Sequence, residues 1–560
     1  MVRRHAVPSL AFAVVLSLTL AARLPALHAQ ARDETIQARV DAIFARWDST
    51  STPGCAVGIA DAGRPVLERA YGMADLEHFV ANRPDTIFEA GSVSKQFTAA
   101  AVLLLAQEGK LSLDDSPRKY VPELPDYGVP LTIRHLLQHT SGLRDWGTMA
   151  GLAGWPRTTR VHTHDHVLDI VSRQRELNFE PGTDWSYSNT GYNLAAIIVS
   201  RVAGEPFAEF TKTRIFGPLG MTRTSWRDDH TRIVRDRAAA YAERRGDFSL
   251  NMPFEDVHGN GGLLTTVGDL LRWNENFVTM TVGGPDFVRQ QQVPGRYKDG
   301  RAHDYALGLY VREYSGVREV SHSGSTAGYR AHLLRFPDQR VSVAVLCNVS
   351  SGNATRFAYE VADAYLGDTL KPAAPPSPAQ VRPAVLKARE GLYRSLKTGE
   401  PLRLVAENDG LRLPGGGPLV ALSGSRFRMG SGEMKFEGDG TSPSARVKIV
   451  QPNGTSEEFE RVAPASPTPD QLADYTGTYT SDEVGVALEI IVEDGGLRVK
   501  RRPDTVAPLL PVYADAFGGP FGFVRFHRDA AGRVTELSVV LDRAWDVRFA
   551  RAESLSAAVR

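Results

Sequence analysis

Ser92 and Lys95, in the run Gly91-Ser92-Val93-Ser94-Lys95-Gln96-Phe97-Thr98, have the types and spacing of a nucleophile and its base. Three residues apart on a helix, they share one face. Phe97, Ala100, Ala101, Leu104 and Leu105 supply an apolar stripe behind them and Gly109 ends the pattern, so the spacing predicts a buried helix opening at the serine. There, unpaired N–H groups and the positive dipole end favour developing negative charge. A partly desolvated lysine one turn on loses its proton more easily and can take the serine's. A second S-x-x-K, Ser116 to Lys119, lies in a polar, proline-bounded stretch with no apolar helix after it and reads as a loop.

Further candidates lie downstream. Tyr187 and Asn189, in the turn-rich loop from Pro181 to Tyr192, project to one side of an extended chain; Tyr187 can relay a proton and Asn189 can orient a substrate amide. In Val320-Ser321-His322-Ser323-Gly324-Ser325, a glycine inside a strand beside a histidine marks a place where a ligand can approach the backbone closely. The N–H groups of Ser325 and Ser92 are then candidate oxyanion donors.

Three other features read as structural. His139, in the last turn of a short helix capped by Thr132, is expected to meet the free carbonyls there. His162, His164 and His166 suggest zinc, but Thr163 is placed to cap a helix through Val171, so no metal site is expected. Gly259 to Asp269 is a glycine-rich turn into a helix capped by Thr266.

The elements that must position these residues belong to a chain of 560 residues with 65 basic and 65 acidic side chains. Zero formal charge gives no reason to expect nucleic acid or an anionic membrane as partner. Residues 1–29 carry Arg3 and Arg4, an apolar run from about Leu10 to Ala22, and small residues at the end, the pattern of a secretory signal cleaved after Ala29 or Ala31. A periplasmic or secreted protein follows, with no integral membrane segment once the signal is removed. Cys55 and Cys347 sit in apolar strand-like runs, so buried free thiols are the default, with a disulfide if those strands are neighbours.

After a proline-rich linker at 371–383 the chain repeats itself. Leu386, Gly391, Tyr393, Gly410 and Arg412 recur at Leu472, Gly477, Tyr479, Gly496 and Arg498. A constant offset this long implies a duplicated domain, and alternating strands with hairpin turns suit two small antiparallel barrels, at 384–463 and 470–560.

S-x-x-K at 92–95, Y-x-N at 187–189 and H-x-G at 322–324, in that order, resemble the three motifs of the serine β-lactamase and penicillin-binding protein superfamily. Leu136 to Leu143 and Ile215 to Met221 reinforce the likeness, which covers about residues 32–370. The resemblance implies an α/β (α+β) β-lactamase/transpeptidase-like domain, a five-stranded antiparallel sheet flanked by helices beside a helical lobe. It also implies that Ser92 is acylated, that Lys95 and Tyr187 share the acid–base work, and that Asn189 holds the substrate amide; Gly324 and Ser325 remain substrate-binding candidates on the strand reading. His322 stands where lysine is usual and would be a weaker cation for a substrate carboxylate.

Y-x-N with H-x-G and two lipocalin-like barrels resemble the D-aminopeptidase branch, and some esterases. An aminopeptidase must meet a free amine, for which Asp515, in a loop of the second barrel, is the candidate carboxylate. The expectation is an exported serine hydrolase without metal or organic cofactor, acting on peptides or amides with an N-terminal D-residue. The alternatives are a carboxylesterase, a β-lactamase, or a penicillin-binding or peptidoglycan-sensing module that acylates without turnover. The oligomeric state is open.

Overall fold

The computed structural model describes residues 34–158, 160–371, 377–407, 410–438, 440, 442–502 and 504–552. The signal-like segment and residues 372–376 of the proline-rich linker lie outside these residues, as do Asn408 and Asp409 of the first barrel's expected hairpin turn.

The core of the first part is an antiparallel sheet whose strands are β1 (Cys55–Asp61), β2 (Arg64–Tyr71), β3 (Tyr310–Tyr314), β4 (Val317–Thr326), β5 (Tyr329–Phe336) and β6 (Val341–Cys347). Its order is β3-β4-β5-β6-β1-β2, six strands where five were expected; the short β3 adds an edge beyond β4. β1 and β6 are interior, and Cys55 and Val57 alternate with Ala56 and Gly58 between two apolar layers. On one side lie the helix at 34–44 and helix Ala354–Leu366; on the other lie helices Lys95–Gln107, Asn189–Ala203 and Val267–Thr279. Gly58 has no side chain because Leu271 and Val267 of the last of these fill its space.

Pairing β1 with β6 sets Cys55 directly opposite Cys347, and the two form a disulfide. Free thiols were the default reading; strand adjacency, which sequence alone did not supply, decides otherwise. The bridge closes a very long loop, so replacing both cysteines by alanine should cost about 2–4 kcal/mol. A thermal melt of the double variant checks this; an unchanged midpoint would mean that the surrounding apolar layer suffices.

The C-terminal part forms two eight-stranded antiparallel units. One, from Gly391–Ser395 to Ser456–Val462, is nearly closed; the other, from Gly477–Ser481 to Ala544–Arg551, is a closed barrel. The repeat positions Tyr393 and Tyr479 are equivalent, each buried and donating its hydroxyl hydrogen to the carbonyl four residues earlier, Arg389 and Tyr475. Both units touch the first part. Lys397 pairs with Asp184, Tyr297 donates to the Asn453 carbonyl, and the turn between strands Val534–Leu541 and Ala544–Arg551 reaches the cleft described next. Among the described residues no helix is long and apolar enough to cross a membrane.

Candidate active site

Ser92 lies in a 3-10 turn, Gly91–Ser94, that feeds directly into helix Lys95–Gln107. The helix is buried nearly all round, with Phe97 packed 4.5 Å from Trp273 and 5.7 Å from Phe216, ring to ring. Burial of such a side chain is worth roughly 1.5–3 kcal/mol, which fixes the helix and with it the lysine on its first turn. The second S-x-x-K forms only a surface 3-10 turn, with Lys119 paired to Asp115.

Lys95 is fully buried, and among the described residues no carboxylate pairs with it. Its Nζ lies 2.7 Å from the Asn260 carbonyl, 2.9 Å from Asn189 Oδ1 and 3.2 Å from Ser92 Oγ. Burial pushes its pKa well below the ordinary lysine range, and the nearby Arg543 pushes the same way. In the deprotonated form that burial favours, the amine has two N–H bonds and one lone pair. The two shorter contacts, both to pure acceptors, take the hydrogens, so the lone pair is left facing the Ser92 hydroxyl. The arrangement makes Lys95 a base aimed at Ser92.

Asn260 belongs to the glycine-rich turn expected to be structural only, and its carbonyl proves to be part of this arrangement. The signal was the crowding of glycines, which lets backbone approach: the turn's carbonyls at Gly259 and Asn260 accept from Thr98 and Lys95, one turn apart on the same face of the buried helix.

Tyr187 ends the loop before helix Asn189–Ala203, so Asn189 stands in the helix's first turn rather than in extended chain. Burial raises the Tyr187 pKa, while a hydrogen bond with Ser92 pulls it the other way. Lys95 Nζ and the Arg543 guanidinium each lie 4.8 Å from the centroid of the Tyr187 ring. His139 packs against the same ring, tilted by 35° with centroids 4.2 Å apart, and accepts from the Ser188 N–H through Nδ1 at 3.2 Å. It therefore positions the tyrosine loop and does not meet the helix carbonyls; burial holds it neutral.

His322, on β4, departs from the expected weak cation. Its Nδ1 lies 2.6 Å from the Ser323 carbonyl and its Nε2 lies 3.0 Å from the Tyr305 hydroxyl. The first contact requires Nδ1–H, so Nε2 accepts from the tyrosine. Burial, reinforced by Lys95, lowers the pKa to about 3. The imidazole is neutral with both nitrogens engaged.

Gly324 is placed where a Cβ would lie 2.0 Å from the Ala90 carbonyl oxygen and 3.1 Å from the Ser92 nitrogen. Only glycine lets β4 approach the nucleophile turn this closely. Ser325 follows it on the same wall. These residues enclose a cleft of about 770 Å³ lined by Ser92, Tyr187, Asn189, His322, Gly324 and Ser325, with Trp185 and Tyr310 as aromatic walls.

Asp515 does not join them. It occupies a tight turn of the second barrel, where it accepts from the Tyr475 hydroxyl and pairs with Arg528, both at 2.9 Å. The second barrel instead contributes Arg543 to the cleft. Among the described lining residues there is no Asp or Glu; the charged ones are Arg157, Arg330 and Arg543. The histidine run behaves as a helix start: the Thr163 N–H donates to His166 Nδ1 at 3.1 Å, and the three imidazoles do not converge on a common point.

Residues 33–366 match the family described as Beta-lactamase. The chain belongs to this family. It is 28% identical over 531 residues to a D-aminopeptidase of Brucella melitensis, covering 90% of this chain and 96% of that protein. A D-aminopeptidase of Gluconobacter oxydans is 28% identical over 466 residues, with 82% and 85% covered. The octameric penicillin-binding protein homologue from Pyrococcus abyssi superposes with a TM-score of 0.54 at 23% identity, over 84% of this chain and 98% of that one. The D-amino acid amidase from Ochrobactrum anthropi SV3, complexed with L-phenylalanine amide, gives 0.51 at 21% identity, over 59% and 98%. These two structures bear on the fold, a β-lactamase/penicillin-binding protein domain followed by barrels in this chain. The chain is a serine hydrolase of that superfamily.

Proposed function

We propose that this hydrolase cleaves peptides or amides carrying an N-terminal D-residue through an acyl-enzyme on Ser92, in the periplasm or outside the cell. The observation that carries the chemistry is the buried Lys95, whose Nζ lies 3.2 Å from Ser92 Oγ and is held there by the Asn260 carbonyl and Asn189 Oδ1. Lys95 takes the hydroxyl proton as Oγ attacks the carbonyl carbon. The N–H groups of Ser92 and Ser325, on facing walls of the cleft, receive the oxyanion. Tyr187, bonded to Ser92 and beside Lys95, returns the proton to the leaving nitrogen, and water then releases the acyl group by the reverse path. Asn189 has its Oδ1 committed to Lys95, which leaves its Nδ2 for a substrate carbonyl.

Preference for a D-residue is supported by the D-aminopeptidases that resemble this chain over nearly its whole length. Export is supported by the signal-like pattern at 1–29 and by the buried disulfide, a feature of oxidising compartments. Turnover of D-alanine and L-alanine nitroanilides by the purified protein tests the substrate class. The D-isomer is expected to lead by at least about tenfold in kcat/KM, the margin that one well-placed polar contact supplies. Equal turnover of both isomers, or cleavage of nitrophenyl esters alone, would sink the peptidase reading.

A further inference from the structure

We propose that the turn Asp542-Arg543 of the second barrel is part of the substrate site and that the Arg543 guanidinium binds a carboxylate carried by the substrate. The proposal rests on the serine amidase reading above and names the substrate class for it. The turn joins strands Val534–Leu541 and Ala544–Arg551 and is held to the first part of the chain through its backbone. The Arg543 carbonyl accepts from the Asp145 N–H at 3.1 Å and from Asn178 Nδ2 at 3.2 Å, and the Trp545 N–H donates to Asn178 Oδ1 at 2.8 Å. Arg144, itself buried and paired with Glu483, donates to the Trp545 carbonyl at 3.0 Å. Such bonds fix where the Arg543 side chain starts, so a substrate does not have to order the turn.

Asp145 links this turn to the catalytic groups. Its Oδ2 accepts from the Asn189 N–H at 2.7 Å while its own N–H holds Arg543. The guanidinium then lies over the Tyr187 ring and lines the cleft that contains Ser92.

The other two lining cations are spent. Arg157 is paired with the buried Glu255, and Arg330 donates to the Ala327 and Tyr329 carbonyls at 2.9 and 2.7 Å. Among the described residues the acid paired with Arg543 is Asp542, which is 90% exposed and lies 3.3 Å from Nε. An exposed pair of this kind is worth little, and the two terminal nitrogens form a fork suited to a carboxylate. With no acid among the described lining residues, an anionic group on the substrate gains in this cleft.

The carboxylate has two sources within reach of one guanidinium, the side chain of the acyl residue or the C-terminus of the leaving group. Two isosteric pairs separate them. For the acyl side these are D-glutamic acid α-amide against D-glutamine amide; for the leaving side, D-Ala-Gly against D-Ala-glycinamide. Each compound is assayed by release of its amine and, in parallel, as a competitor of Ser92 acylation by nitrophenyl acetate, on the full-length protein and on Arg543→Gln and Arg543→Glu. In at least one pair the carboxylate form should lead by about tenfold or more in kcat/KM or in competition, a charge-assisted bond's worth. That ratio should fall towards one in Arg543→Gln and invert in Arg543→Glu. Ratios near one in the unaltered protein, or ratios that both variants leave unchanged, overturn the proposal. Nitrophenyl acetate carries no charge and reports Ser92 itself. Acylation without charge discrimination removes the role of Arg543 alone, whereas absence of acylation removes the hydrolytic reading beneath it.

Discussion

Replacing Ser92 by alanine should abolish acyl-enzyme formation, and replacing Lys95 by methionine should lower the acylation rate by about a thousandfold, within the range for loss of a general base. Methionine keeps the volume and removes the lone pair, so the fold survives while Asn189 Oδ1 and the Asn260 carbonyl lose their donor. The pH profile adds a sign. Burial lowers the Lys95 pKa, so acylation in the unaltered protein should rise as pH climbs through that lowered value and then level off well below the pH at which an ordinary lysine titrates. Mass spectrometry of the protein incubated with an active ester, across pH, reads both effects. Normal acylation by the methionine variant, or a rate that keeps climbing towards pH 10.5, would remove Lys95 as the base.

The second large effect concerns stability. Glu89, fully buried one residue before Ala90, meets Arg227 through two bonds of 2.9 and 3.0 Å and Arg237 at 3.4 Å; Arg227 is itself 2% exposed. Truncating Glu89 to alanine strands a buried guanidinium, which should cost about 3–5 kcal/mol. Glu89→Gln keeps the shape and should cost less. Denaturant unfolding compares the two; a loss under about 1 kcal/mol for the alanine variant would mean that water or Glu255, 3.8 Å from Arg227, compensates. The pH sign follows from the arginines. They hold the Glu89 carboxyl below its usual range, so its contribution is complete above the ordinary glutamate pKa and is lost as pH falls through the lowered one.

The parts of this site that sequence reveals are those whose chemistry is local. Ser92 and Lys95 sit one turn apart before an apolar stripe, Tyr187 and Asn189 are two residues apart, and His322 and Gly324 share one strand, so type and spacing suffice to find them. The duplicated barrels are legible for the same reason, since a constant offset repeats their tyrosines and glycines. Contributions made by backbone or by distant loops carry no such mark. A backbone carbonyl such as that of Asn260 is common to every residue type, and Arg543 sits in an ordinary hairpin turn far downstream. Asp515 was chosen by charge in a plausible loop, yet the barrel's closure turns that loop towards Tyr475 and Arg528. The neutrality of His322 depends on Tyr305, from outside the motif. The disulfide depends on which strands the topology makes neighbours.

The pairing of β1 with β6 also has a consequence in time. Cys55 and Cys347 are 292 residues apart, so these two interior strands of the sheet meet only after the chain between them exists. At about 5–20 residues per second, a ribosome needs roughly 15–60 s to supply β6 after β1. Through that interval the apolar run from Cys55 to Ala60 has no partner on one edge and is exposed to misassociation. Ser92 waits as well, because the wall that completes its cleft, Gly324 and Ser325 on β4, is made late in the same interval. A nascent chain therefore carries its nucleophile unassembled, and hydrolytic competence arrives with closure of the sheet.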